Sequence, residues 1–353
     1  MIPALPPGYK PHPATMDDLP ETVALINRVY RDLLGVDGMY SSGDIGNEWL
    51  TPGFNQATDT QIVLAPNGKI VGYYEFWDLQ SPHVRFDCWG CIHPDYMDLG
   101  IGIYLLSWVD QRAVQSVAKA PQGTRVILRS FDLSINQPVG DLLQKTGYQL
   151  IRHNLRMVTE LNGQPPVPQW PDGITVRTMQ TGHDESAVLR AIRDSFTDHW
   201  GHVETPFEQE LERWLHRIRT DETFDPGLWF LAIDAKHLTP GFIPGEPGDE
   251  IAGISLCRAK TYDDPDMGWV STLGVRRPWR KRGLGLALLQ HSFHALYQRG
   301  FRKIGLGVDA QNLTGATRLY EKAGMHSDPN RQYSIYEKEL RPGKDLTTQV
   351  LKS

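Results

Sequence analysis

Apolar positions along this chain change period in a fixed order, and that order occurs twice. In the first pass a strand-like stretch over residues 9–16 gives way to a helical stripe from Leu19 to Leu34, with apolar residues returning every three or four positions. Two apolar runs follow, residues 61–65 and 70–76, and the turn Pro66-Asn67-Gly68-Lys69 between them predicts a hairpin. A strand at 89–92 then leads to Gly100-Ile101-Gly102 and a helix. A strand at 125–129, a short helix at 140–146 closed by Gly147, and further strand complete the pass.

The second pass repeats each step. A strand at 174–179 precedes a stripe from Glu185 to Phe196, and the apolar runs 228–233 and 250–256 form the next hairpin. Their connection, from about Lys236 to Asp249, is long, rich in Gly and Pro, and expected to be flexible. A strand at 269–275 leads to Gly283-Leu284-Gly285 and a helix, then come a strand at 303–308 and a helix at 315–323 closed by Gly324. Glycine after a last helical turn is the usual stop signal.

A single repeat at a spacing of about 170 residues is too long for a solenoid and fits duplication of a whole domain. The spacer at 162–173, with Pro165, Pro166, Pro168 and Pro171, can form neither helix nor central strand. The organisation predicted is an N-terminal domain over 1–160, a linker over 161–173 and a C-terminal domain over 174–353, in the α/β class with mixed sheets. A length of 353 residues suits this division, since domains of roughly 150 to 180 residues each build their own core.

Composition narrows the partners. A hydrophobic fraction of 40% and ten tryptophans belong to a packed globular chain, and a net charge of -6 gives no drive toward nucleic acid or acidic membranes. No apolar run approaches the ~20 residues of a spanning helix, and the first eight residues lack the regions of a signal peptide. A cytoplasmic location is therefore expected. Cys88 and Cys91 have a C-x2-C spacing, but they fall in a strand, where positions three apart face opposite ways. His291 and His294 sit three apart on a helix with no third ligand in view. No metal is expected at either place.

The richest chemistry lies at the second glycine turn. Arg276, Arg277, Arg280, Lys281 and Arg282 put five positive charges into seven residues, just before the N-terminus of a helix. Free amides at such an end, reinforced by the helix dipole, suit a phosphate or pyrophosphate, and glycines allow it close approach. A Walker loop is excluded because no Gly-Lys-Ser/Thr follows, and a dinucleotide fingerprint would need a glycine where this chain has Leu288.

Arg280 to Gly285, R-x-x-G-x-G after a strand, resembles the acetyl-CoA signature of the GCN5-related N-acetyltransferase (GNAT) superfamily. Downstream, Asn312 after a strand and Ala316 to Met325, in the pattern A-x-x-L-Y-x-x-x-G-M, are similar to the family's second motif. The resemblance covers both copies, in the tandem arrangement of mycothiol-synthase-like acetyltransferases, and the His199-Trp200-Gly201 loop is similar to that subgroup's. It implies two tandem folds, each a splayed mixed sheet flanked by helices. It also implies that the pantetheine arm of acetyl-CoA pairs with Leu273, Gly274 and Val275, and that the pyrophosphate rests on amides of Arg280, Lys281, Arg282, Gly283, Leu284 and Gly285. Asn312 and Tyr320 complete the cofactor set, and Tyr320 takes the place of the acid that protonates the departing thiolate.

Each residue also has a plainer reading. Tyr320 lies on a helical stripe and fits a core aromatic; Asn312 fits a turn or cap. His199 and Glu204 are base candidates only through their shared loop, which also carries Asp198, and a surface histidine would look the same. In the first copy Met97-Asp98-Leu99-Gly100-Ile101-Gly102 keeps the glycines but offers Asp98 where a cation would help, and Leu142-Leu143 leaves no tyrosine. An N-terminal domain that is structural or vestigial is expected, with catalysis in the C-terminal one. The activity expected is direct transfer from acetyl-CoA to a small-molecule amine by a monomer or homodimer. An acyl-CoA sensor without turnover and an acetyltransferase for protein or peptide amines remain the alternatives.

Overall fold

The computed structural model describes residues 2–234, 250–311 and 315–348. The chain forms two compact units, one of Met1–Asn154 with Asn330–Leu346, the other of Leu155–Pro329 with Thr347–Ser353.

Unit 1 opens with β1 (Lys10–His12) and α1 (Leu19–Leu34), which starts on Pro20 and stops at Gly35 in the left-handed conformation, φ 69°. The short helices α2 (Ser42–Trp49) and α3 (Gln56–Asp59) follow. Ser41 caps α2, its hydroxyl accepting from the Asp44 amide while the Asp44 carboxylate accepts from the Ser41 amide. Then come β2 (Thr60–Leu64), β3 (Ile70–Trp77), β4 (Arg85–Ile92), α4 (Ile101–Val117), β5 (Val126–Leu133), α5 (Gln137–Lys145) and β6 (Gln149–Glu160).

Unit 2 repeats the series with β7 (Thr175–Thr178), α6 (Glu185–Phe196), α7 (Phe207–Thr220), β8 (Trp229–Ile233), β9 (Ile251–Arg258), β10 (Met267–Val275), α8 (Leu284–Gln298), β11 (Lys303–Asp309) and α9 (Ala316–Lys322); β12 (His326–Arg341) follows and belongs to unit 1 from Asn330 on. Within unit 1 the strand order is β1-β2-β3-β4-β5-β12, and within unit 2 it is β11-β10-β9-β8-β7. Both are mixed α/β sheets flanked by helices, in which antiparallel hairpins meet one parallel pair, β4 with β5 and β10 with β11.

The C-terminal strand departs from a simple bead-on-bead layout. β12 pairs with β5 from Tyr333↔Leu133 to Arg341↔Val126, so residues 330–346 complete the sheet of unit 1. Arg125 and Arg129 fasten this return by ion pairs to Glu339 at 2.9 Å and Glu337 at 2.9 Å.

Each sheet is covered by a helix that lies over glycine. A Cβ on Gly72 of β3 would fall 2.9 Å from Ile101 and Leu105 of α4, and one on Gly253 of β9 would fall 3.0 Å from Leu288 of α8. The cores are apolar: Ile26, Ile62, Tyr73 and Trp49 in unit 1, Phe230, Leu288, Phe293 and Leu306 in unit 2. Burying each such side chain contributes about 1.5–3 kcal/mol. Cys88 and Cys91 face opposite sides of β4, both buried, and burial drives both thiols upward, that of Cys88 to about 12. No helix among the described residues is long and apolar enough to cross a membrane.

Candidate functional site

The site in unit 2 begins where two strands part. β10 and β11 pair in parallel from Met267↔Lys303 to Val270↔Leu306, yet β10 continues to Val275 and β11 to Asp309. Over its last residues β10 bonds only to β9, with Leu273 opposite Ser255, Gly274 opposite Ile254 and Val275 opposite Gly253. Its other edge is left with backbone donors and acceptors facing the gap, the kind of edge an extended ligand can add to.

A bulge marks the point of parting. Val270 faces Cys257 and Thr272 faces Leu256, so Ser271 is an extra residue that turns the strand end. Bulges of this kind gather beside active sites because they re-aim the chain. In unit 1 the matching pair, β3 with β4, runs without a shift from Gly72↔Ile92 to Trp77↔Asp87. The repeat in the sequence gave no warning of this difference, because the register appears only when the strands are paired.

Beyond β10 the chain makes a left-handed turn into α8. Lys281 has φ 61° and Gly283 has φ 85°, and Gly283 caps the helix. The first bond at this helix end runs from the Ala287 amide to the Gly283 carbonyl, so the amides of Leu284, Gly285 and Leu286 have no intrahelical acceptor. A side-chain carbon on Gly283 would meet nothing within 4 Å, so space lies open beside the turn. A lysine held at positive φ is strained, and strain of this sort concentrates at ligand sites. Unit 1 bends the same way, with Asp98 at φ 61° and Gly100 at φ 78°. The two turns share a backbone and differ in charge.

The five cations divide. Arg276 is buried and pairs with Asp194 at 2.7 Å. Arg280 is held by Asp198 and by the carbonyls of Val275 and Ser195, so its guanidinium braces the end of α6 against the end of β10. Arg277, Lys281 and Arg282 are exposed. Gly274 permits the close approach of α6, since a Cβ there would lie 2.8 Å from that of Ser195.

α9 crosses this frame through Leu319, which would stand 3.1 Å from a Cβ on Gly285, a position also in contact with Val275 at 3.7 Å. Tyr320, the next residue, is buried in the unit 2 core, but its hydroxyl is not among the buried polar atoms left without a partner. Burial pushes that hydroxyl up to about 12. In unit 1 the matching place holds Leu143, and Leu142 packs on Gly102 as Leu319 does on Gly285. Asn312 lies outside the described residues.

The loop after α6 carries the remaining candidates. His199 packs edge-on against Phe196 at 4.5 Å between ring centres. Burial lowers its pKa below the usual imidazole range, against an upward pull from Asp198, and Asp309 at the end of β11 also acts on it. That proximity was invisible in the sequence, where the pair lie 110 positions apart. Glu204 is largely exposed and pairs with Arg193 and, at 3.4 Å, with His202. Its partial burial raises the carboxyl, but those two partners outweigh it and hold Glu204 below the ordinary range. His291 stacks edge-on against Phe230 at 4.6 Å and Trp170 at 5.6 Å, as a packing residue would. No group of three or more His, Cys, Asp or Glu among the described residues is arranged to hold a metal.

Comparison with known proteins identifies the family. The acetyltransferase (GNAT) family model matches residues 191–325. A mycothiol acetyltransferase of Thermomonospora curvata is 30% identical over 235 residues, which cover 66% of this chain and 68% of that protein. One from Streptomyces bingchenggensis is 27% identical over 335 residues, covering 92% and 94%. The crystal structure of a GCN5-related N-acetyltransferase from Sphaerobacter thermophilus superposes with a TM-score of 0.75 at 31% identity, over 98% of this chain and 100% of that one. A mixed sheet flanked by helices, built twice in one chain, is the frame of a tandem acetyltransferase. The chain belongs to the GNAT family and is an N-acetyltransferase.

Proposed function

We propose that the chain transfers the acetyl group of acetyl-CoA directly to a primary amine of a small molecule, at the parted strands of unit 2. The observation that carries this reading is Tyr320. It is a buried tyrosine one residue beyond the side chain that covers Gly285 and Val275, and unit 1 has leucine in its place. The relatives named mycothiol acetyltransferase support a small-molecule acceptor.

The residues present suit acetyl-CoA. The turn offers amides of Leu284, Gly285 and Leu286 with open space at Gly283, and Lys281 and Arg282 add charge that a pyrophosphate requires. The strand end Leu273 to Val275, which pairs on one side with β9 and gives the Val275 carbonyl to Arg280, suits the amide groups of a pantetheine arm on its other side. When bound, acetyl-CoA supplies the activated acyl carbon. Arg280 holds the turn in place rather than meeting phosphate with its side chain.

His199 is neutral near pH 7 because burial lowers its pKa, so it can take the proton that the attacking amine must lose. The C–N bond forms as the C–S bond breaks, and the sulfur leaves as a thiolate. Tyr320 donates a hydrogen bond to that sulfur. With its hydroxyl at about 12 and a free thiol near 8.5, complete proton transfer would be uphill by roughly 5 kcal/mol, so stabilisation by hydrogen bonding is the larger part of its role. Three free cysteines, all buried, suit a reducing compartment and a cytoplasmic enzyme.

The test is release of free CoA from acetyl-CoA across a panel of small primary amines. Turnover on at least one amine is expected, with kcat reduced about a hundredfold in Tyr320→Phe and KM little changed. Binding of acetyl-CoA without turnover on any amine would turn the protein into a sensor. Failure to bind would remove the proposal altogether.

A further inference from the structure

The amine-side loop of unit 2 is held at both ends by arginine. Arg280 takes Asp198 and Arg193 takes Glu204. A third restraint comes from far along the chain. The Gly201 amide donates to the Thr348 carbonyl at 3.0 Å, and the Thr348 amide donates to the His202 carbonyl at 2.8 Å. The Thr348 hydroxyl donates to the Thr197 carbonyl at 3.1 Å.

These three bonds answer specific needs. Thr197 is the C-cap of α6, and carbonyls at a helix end have lost their intrahelical donors. Gly201 sits at φ 73°, a backbone that no neighbouring helix or strand enforces. Two main-chain bonds in opposite directions, one through Gly201 and one through His202, hold both sides of that bend. The bend is continuous with His199, whose amide donates to Phe196 and whose carbonyl accepts from the His202 amide at 3.2 Å. Moving His202 therefore moves His199.

We propose that Thr348 is a positioning residue for the acceptor loop: it fixes the main chain that carries His199 and so sets how the amine is held. This rests on the proposed function, because His199 has a role only if unit 2 acetylates an amine. Thr348 touches neither substrate in this scheme and acts through the loop.

Thr348→Val removes the hydroxyl, Thr348→Pro removes the amide donor, and Thr348→Ser keeps both. In steady-state assays of the full chain, Thr348→Val should raise KM for the amine about threefold and Thr348→Pro about tenfold. Thr348→Ser should match the parent, and KM for acetyl-CoA should change less than about twofold throughout. Amide hydrogen exchange over residues 197–204 gives a reading independent of turnover, and Thr348→Pro should speed it at an unchanged melting temperature. Unchanged exchange in Thr348→Pro would overturn the inference whether or not an amine is acetylated. So would faster exchange with the amine KM unmoved, or an equal rise in both KM values. If the parent acetylates no amine, the proposed function fails, and exchange alone shows whether the restraint exists.

Discussion

Arg280 closes on Asp198 with both terminal nitrogens, the second at 3.1 Å, while its Nε donates to the Val275 carbonyl at 3.0 Å. The arginine that opens the R-x-x-G-x-G motif is thus a brace between the α6 loop and the last residue of β10. Its guanidinium holds Asp198 below the usual carboxylate range. Arg280→Ala should cost about 1–2 kcal/mol, since it leaves two carbonyls without their donor and Asp198 with only Arg277 at 3.6 Å as an ion-pair partner. In a differential scan the transition should fall by several degrees, and KM for acetyl-CoA should rise with it. A variant with full stability and a raised KM would show instead that Arg280 meets the cofactor directly.

Lys281 and Arg282 are exposed at the turn and carry their charge toward solvent. Their effect on a pyrophosphate should be screened by salt, because the Debye length falls from about 10 Å at 0.1 M to about 3 Å at 1 M. The double substitution Lys281→Ala with Arg282→Ala should raise KM for acetyl-CoA about tenfold in low salt, and the difference from the parent should shrink as salt is added. Titration of KM against salt checks this. A constant ratio across the series would mean that the side chains act by contact rather than by field.

Much of this architecture could be read from period and punctuation. The paired series of strands and helices, the glycines before α4 and α8, and the loss of tyrosine at Leu143 are local patterns, and local patterns survive in a linear text. What escaped was decided by pairing. The return of β12 to β5 depends on which sheet edge is open, which no residue of 330–341 announces. The extra residue Ser271 becomes a bulge only against the register of β9. The charge run 276–282 reads as one basic patch, yet Arg276 and Arg280 are drawn off by Asp194 and Asp198 some 82 residues earlier. The helices α2, α3 and α7 were missed because they are short or flank the loops that the repeat skips.

His199 is partly buried, and burial is the main reason its pKa falls below the ordinary imidazole value of 6.5. A lowered value keeps the ring neutral to lower pH, so a base at His199 should sustain kcat/KM down to mildly acidic conditions and lose it only below the ordinary imidazole range. His199→Gln should reduce kcat/KM about a hundredfold at pH 7 and remove that acid limb. The pH profile of the two proteins decides. An acid limb that persists unchanged in His199→Gln assigns the proton to another group.

The sharpest contrast between the units is buried in unit 1. Glu75 lies inside the core with the Tyr73 hydroxyl donating to it at 2.5 Å, while Trp49 Nε1 donates to Tyr73 at 2.8 Å. In β9 the matching positions are Ile254 and Leu256. Burial pushes the Glu75 carboxyl up from 4.5 to about 7, against a smaller downward pull from its hydrogen bonds to Tyr73 and Trp77. The unfolded chain releases this proton near pH 4.5, the folded chain only near pH 7. The folded state therefore binds the extra proton between those values, and its contribution to stability is complete below the lower one and lost as pH rises through the higher. Glutamine mimics the protonated acid and cannot ionise. Glu75→Gln should melt with the parent at pH 4 and several degrees above it at pH 8. Asp132, also pushed by burial to about 7, will leave a residual slope in the variant. Parallel melting curves for parent and variant from pH 4 to 8 would show that ionisation of Glu75 is not what the fold resists.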